Sequence, residues 1–285
     1  MKAMGKPAEL NNVAPINDFQ LCAKEIIDDF LEKQNSLIYP PLNIQPYFHT
    51  YRKDYEASSR RAYAWPVFIE KSGEAFMLHL CKERLYSLPF PVLQGWLIHH
   101  AALCIPKLQP AFYSCNFLKK IFPLMPVTGL ATNHILQVFT HLERALQQCM
   151  VVESLIDLGY GISQCHYYFH KVSADPEDFE SYNLLIPHTW SRSLFICRIL
   201  EDYMGIFVLA RQGIHLSTEL ESFWIDIHRY VLPSDLALIN SICHIPALRN
   251  GSQYCDKIVE MFKLVRDTLL QPAPGETEGS SVTIH

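Results

Sequence analysis

The chain has 285 residues, of which 49% are hydrophobic and 19% charged. That balance supports a sizeable core and excludes global disorder. A formal charge of −5, from 24 basic and 29 acidic residues, gives no strong basic face, so nucleic acid is not an expected partner.

A flexible start is predicted through Asn17. Phe19, Cys22, Ile26, Phe30 and Leu31 then recur at helical spacing, predicting a helix over 18–32. Pro40 and Pro41 end it. The run 62–69, the turn Lys71-Ser-Gly-Glu and Ala75-Phe-Met-Leu-His-Leu predict an antiparallel hairpin, with Pro66 placing part of it at an edge. A helix over 91–105 follows, with Pro91 at its first position and Pro106 at its exit. Pro110, Pro123 and Pro126 break up the next stretch. Helices are predicted over 132–158, closed by Gly159, and over 163–172. Ser173-Ala-Asp-Pro-Glu-Asp reads as a helix start. A strong helix over 191–211 ends at Gly213, and Thr218 with Glu221 suggests a capping box. Helices over 234–241 and 252–270 precede a Pro- and Gly-rich tail, 271–285, read as disordered.

The expected architecture is therefore α+β: predominantly helical, with a small antiparallel sheet in the N-terminal half, in a single domain over 18–270. Residues 90–106 and 193–210 are apolar, but Gln94, His99 and His100 interrupt the first, and Arg198, Glu201 and Asp202 the second. Neither gives the roughly 18 clean apolar residues of a membrane span, so no membrane partner is expected. No glycine-rich phosphate loop is present.

The 13 His and nine Cys are the notable excess, because both are metal-ligand types. The Cys are scattered, odd in number and never spaced as CxxC, which excludes zinc-finger and thioredoxin readings. The first 15 residues lack an apolar signal core. A reducing, cytoplasmic setting is predicted, with the Cys mostly free and buried. Cys165-His166 and Cys243-His244 are adjacent, but neighbours in sequence do not face each other on a helix. His166 and His170, at i and i+4, would share a helical face, where they read as metal ligands or as pocket and packing residues. A carboxylate-bridged di-iron core is excluded, since no Glu has His three residues later. Trp96 reads as core or as a pocket wall.

The most informative run is Leu93-Gln-Gly-Trp-Leu-Ile-His99-His100-Ala-Ala-Leu103-Cys104, a helix following a short sheet and a Leu-Pro turn. This layout resembles the active segment of small zincin-like metallopeptidases, whose helix carries His-Glu-x-x-His. The resemblance places His99 at the first zinc ligand. His100 stands where the catalytic Glu belongs, and Leu103 where the second His belongs. In this family a third ligand comes from a later helix, often as Glu; Glu143 and Glu153 on the 132–158 helix are the candidates, with Glu143 favoured and a salt bridge to Arg144 or a Lys as its ordinary alternative. Leu103 cannot coordinate zinc, and His100 points about 100° away from His99 on a helix. The resemblance thus implies a metallopeptidase-like protein with a degenerate site, no standard cofactor, and a protein or small-molecule ligand in the old cleft. Two other readings stay open: a metal-dependent hydrolase with a rebuilt zinc site using His99, His100, Glu143 or the His166/His170 pair, and a helical protein-interaction module.

Overall fold

The apolar spacing near the start of the chain becomes a helix, α1, Ile16–Asn35. A computed structural model describes residues 16–37, 41–59, 65–108, 132–174, 178–245 and 253–270. The predicted loose start up to residue 15, the Pro110–Pro126 stretch and the tail lie outside them. Contacts group the chain into two compact units, Met1–Ile105 and Pro106–His285.

The first unit continues with β1 (Ile44–His49), α2 (Arg52–Ser59), β2 (Val67–Ser72), β3 (Ala75–Cys81), α3 (Lys82–Leu85) and α4 (Phe90–Ala102). β2 and β3 form the predicted antiparallel hairpin, with β2 at an edge. Gly73 turns it at φ 61°, a conformation that side chains disfavour. The sheet as a whole departs from the antiparallel expectation. Its order is β1-β3-β2, and β1 runs parallel to β3, so the sheet is mixed. β1 is poorly visible in the sequence because Pro46 interrupts it and Gln45 and Tyr47 are exposed. The central position of β3 explains its continuous buried run from Leu78 to Cys81.

The two faces of this sheet differ. On one, Phe48 meets Phe19 of α1 edge-to-face at 6.1 Å. The other carries His49, His79, Phe68 and Tyr47 beside Tyr55 of α2. α4 buries Val92, Leu93, Trp96, Leu97, Ile98 and Ala101, and packs on α1 and β2. Pro91 lies in its first turn, as the sequence predicts.

The second unit contains α5 (Thr132–Asp157), α6 (Gly161–Ala174), α7 (Tyr182–Leu185), α8 (Thr189–Arg211), α9 (Thr218–Tyr230), α10 (Pro233–Cys243) and α11 (Tyr254–Leu269). The long helices α5 and α8 form its dominant packed pair. Gly159 and Gly213 follow α5 and α8 with φ of 86° and 73°, the left-handed turns expected of helix ends. Two expected helix starts shift. The N-cap of α9 is Ser217, whose hydroxyl accepts from the Leu220 N–H at 3.4 Å; Thr218 is already helical. Asp178 binds the Ser181 N–H instead of opening a long helix, while 175–177 lie outside the described residues.

Three polar contacts tie this helical core together. The fully buried Asp235 accepts from both Arg192 and Tyr182, joining α10 to α8 and α7. Lys171 pairs with Asp202 between α6 and α8. Burial opposes the Lys171 charge, but Asp202 outweighs it and holds the ammonium above the usual lysine range. Tyr168 of α6 is wholly buried and donates to Gln148 Oε1 at 2.9 Å. Its ring and hydroxyl occupy the space that a Cβ on Gly205 of α8 would need.

Gly205→Ala should therefore lower stability by about 1–3 kcal/mol through overpacking. With Tyr168→Ala in place the clash is gone, and the same change should become neutral or stabilising by up to about 1 kcal/mol, the helix preference of Ala over Gly. Urea unfolding of the four proteins checks this sign reversal. A Gly205→Ala cost that is equal in both backgrounds would contradict it.

Candidate functional site

The residues that carry the zincin resemblance sit as follows. His99 is fully buried on α4. His100, one position on, is half-buried and stacks on the buried Trp96 ring at 5.3 Å. Its Nδ1 lies 2.9 Å from the Trp96 carbonyl. A carbonyl only accepts, so the Nδ1–H tautomer is fixed. Trp96 also packs against Trp65 at 5.6 Å.

Glu143 belongs to the second unit, on α5. There it accepts from the Tyr254 hydroxyl of α11 at 3.4 Å. Burial raises its pKa, although Tyr254, Arg144 and Lys107 pull the other way. Arg144, its expected partner, instead reaches Glu201 at 3.8 Å. His99 and Glu143 are thus in different units. Among the described residues no group of three or more His, Cys, Asp or Glu is arranged to hold a metal ion.

Cysteine chemistry is equally restrained. Seven of the described cysteines are free thiols, six of them buried, and Cys255 is the exception to the free-thiol expectation because it is disulfide-bonded. Burial pushes Cys149 up to about 12 and Cys165 up to about 11, so neither offers a thiolate near neutral pH.

His166 and His170 do share α6, both half-buried. Their surroundings separate them. His166 lines a cleft of about 760 Å³, formed by the start of α6, the turn from Gly213 to Leu216 and the first turn of α9. His170 is not among its lining residues, and burial lowers its pKa. Ile162, His166 and Phe169 recur at i, i+4 and i+7, which puts them on one face of the helix. Tyr168 anchors the side roughly opposite His166. Across the cleft stand Ile214, Leu216 and the Ser217 cap.

The cleft is assembled by short-range constraints. Gly213 turns the chain back, and the Ile214 N–H bonds the Leu209 carbonyl at 3.0 Å. A Cβ on Gly161 would come within 2.9 Å of Ile214 Cδ1, so the end of the Ile214 side chain packs directly over the first residue of α6. The Cys165 thiol donates to the His215 carbonyl at 3.7 Å, closing the floor. The result is an apolar recess with imidazoles and one carboxylate, Glu219, at its margin.

Sequence reading found His166 but missed Ile162, Phe169, Ile214 and Leu216. The i, i+4, i+7 series was a usable signal for the helical half; nothing local announced that the Gly213 turn would face it. A second missed constellation is in the first unit, where His49 and His79 meet on adjacent strands.

Comparison with known proteins finds no matching family model, no matching curated protein and no matching solved structure. Among the described residues no helix is long and apolar enough to cross a membrane.

Because the raised pKa of Glu143 means its native state binds the proton more tightly than the unfolded chain, stability is lost as pH rises from the ordinary carboxylate value up to the raised one. Glu143→Gln, which mimics the protonated form, should be more stable than the parent at pH 7. The gap should close as pH falls below the ordinary carboxylate range. Thermal melts at pH 7 and pH 3 check this, and a variant less stable at pH 7 would show that the ionised carboxylate has a partner it needs.

Proposed function

We propose that this protein is a helical protein-interaction module. Its cleft between α6 and the Gly213–Glu219 segment takes an apolar side chain of a partner protein. One observation carries the reading. The cleft, at about 760 Å³, falls within the roughly 300–1,000 Å³ span of ligand sites and is lined mainly by apolar groups. Ile162 stands at its edge with 71% of its surface exposed. With the apolar cleft lining beside it, Ile162 extends the apolar surface that a partner's side chain would meet.

The metal-dependent reading lacks a comparable support. Its candidate ligands His99 and Glu143 fall in separate units, and no described cluster completes a coordination shell. The zincin resemblance rests on sequence layout alone, without a match to a peptidase family.

Selection of a displayed peptide library on the full chain tests the proposal. Enriched peptides should share an aromatic or branched apolar anchor. Their affinity should fall at least tenfold, about 1.4 kcal/mol, in Ile162→Asp. Circular dichroism of the variant should be unchanged, since Ile162 is at the surface. No enrichment, or selected peptides indifferent to Ile162→Asp, would contradict the assignment.

A further inference from the structure

His49 on β1 and His79 on β3 are both nearly inaccessible to solvent, and their rings face each other with Nε2 of His49 2.8 Å from Nδ1 of His79. A hydrogen bond between two imidazoles needs a proton on one nitrogen and a lone pair on the other. Glu70 of β2 settles which. Its Oε2 lies 3.2 Å from His79 Nε2, within ion-pair reach though not aligned as a hydrogen bond. A lone pair facing that carboxylate would be repelled, so His79 carries its proton on Nε2. Its Nδ1 is then the acceptor, and His49 Nε2–H is the donor.

The neutral pair is therefore full. A further proton can enter on His49 Nδ1, creating a buried charge. One more would have to take the His79 Nδ1 lone pair and abolish the bond between the strands. The surroundings give little help. Tyr47, Tyr55 and Phe68 pack around the rings, with Phe68 stacked on His79 at 4.3 Å. Asp54 of α2 is the acid acting on His49, and Glu70 the acid acting on His79. Cys81 is the register partner of His49; α3 contributes Glu83 and Arg84, which act on Cys81. α1 meets β1 on the opposite face, through Phe19 and Phe48. Burial outweighs these acids, and both imidazoles have their pKa lowered, His49 also by His79 itself.

We propose that His49 and His79 form a pH-sensitive latch that holds the edge strand β1 on β3 and releases it as pH falls below neutrality. Among the described residues β1 pairs with β3 alone, so it can separate without breaking the β2–β3 hairpin. Release exposes both imidazoles to water, where each takes up a proton at its ordinary pKa of about 6.5. The latch is fully closed above that value. Its hold is lost as pH falls from there towards the lowered values of the closed state, because the open form binds more protons. The latch lies wholly in the first unit and does not depend on the cleft reading.

Hydrogen exchange on the full chain reads this directly, because β3 carries a built-in control. The Phe76 N–H donates to the Asn43 carbonyl on the β1 side at 2.9 Å, and the Cys81 N–H donates to the Pro66 carbonyl on the β2 side at 2.9 Å. After correction for intrinsic rates, opening at Phe76 should rise as pH is lowered from 7.5 to 5, by about tenfold per pH unit for each proton taken up. Opening at Cys81 should stay flat. In the His49→Gln/His79→Gln protein the pH slope at Phe76 should vanish. Should that double variant not fold, Glu70→Gln serves. Removing the carboxylate lowers the closed-state pKa of His79 further, so the rise at Phe76 should extend to lower pH. A flat Phe76 response in the parent would overturn the proposal. So would equal responses at Phe76 and Cys81, a slope surviving in the double variant, or an unmoved window in Glu70→Gln.

Discussion

The second unit depends on one close approach, the burial of Tyr168 against the bare backbone of Gly205. A tyrosine ring can enter between two packed helices only where one of them lacks a side chain, and its hydroxyl must then find an acceptor. Gln148 of α5 supplies it. One residue of α6 is thereby fixed to both members of the dominant helix pair. Lys171, three residues on, adds a second tie to α8 through Asp202. With this side of α6 locked, the face bearing Ile162, His166 and Phe169 is held towards the Gly213 turn. The cleft thus rests on core packing on its α6 side and on the Gly213 turn on the other.

The histidine excess finds two different explanations. His99 is part of a buried helix, and His100 stacks on Trp96 and bonds its own helix backbone. His49 and His79 form a polar link inside a small sheet. His141 is paired with Glu201. His49, His79 and His141 join elements, because an imidazole can link groups on neighbouring strands or helices. Composition alone suggested metal ligands. The arrangement instead gives links between elements, a bond back to a helix backbone, and two imidazoles, His166 and His215, lining an apolar recess.

Helices were legible because their signals are local. The 3.6-residue period, the glycines after α5 and α8 and the proline at the start of α4 act within a few residues. The β2–β3 hairpin was legible for the same reason. The parallel strand β1 was not, because its pairing depends on a crossover through α2 to the far edge of the sheet. Its Pro46 and exposed Tyr47 also break the alternating pattern. The candidate site shows the same division. His166 could be named from its spacing on α6, but its partners Ile214 and Leu216 lie nearly fifty residues away, brought close by the Gly213 turn. The His99-to-Glu143 link was drawn from a family layout, and each residue has a role in its own unit: His99 in the packing of α4, Glu143 in the α5–α11 contact.

We propose that the recess on α6, rather than the histidines of α4, is where this protein meets its ligand. Amide chemical-shift mapping of the isotope-labelled full chain with a small apolar probe such as indole tests it most directly. The account predicts saturable shifts concentrated at residues 161–170 and 213–219. Shifts concentrated instead around Trp96, His99 and His100, or none that saturate, would contradict it.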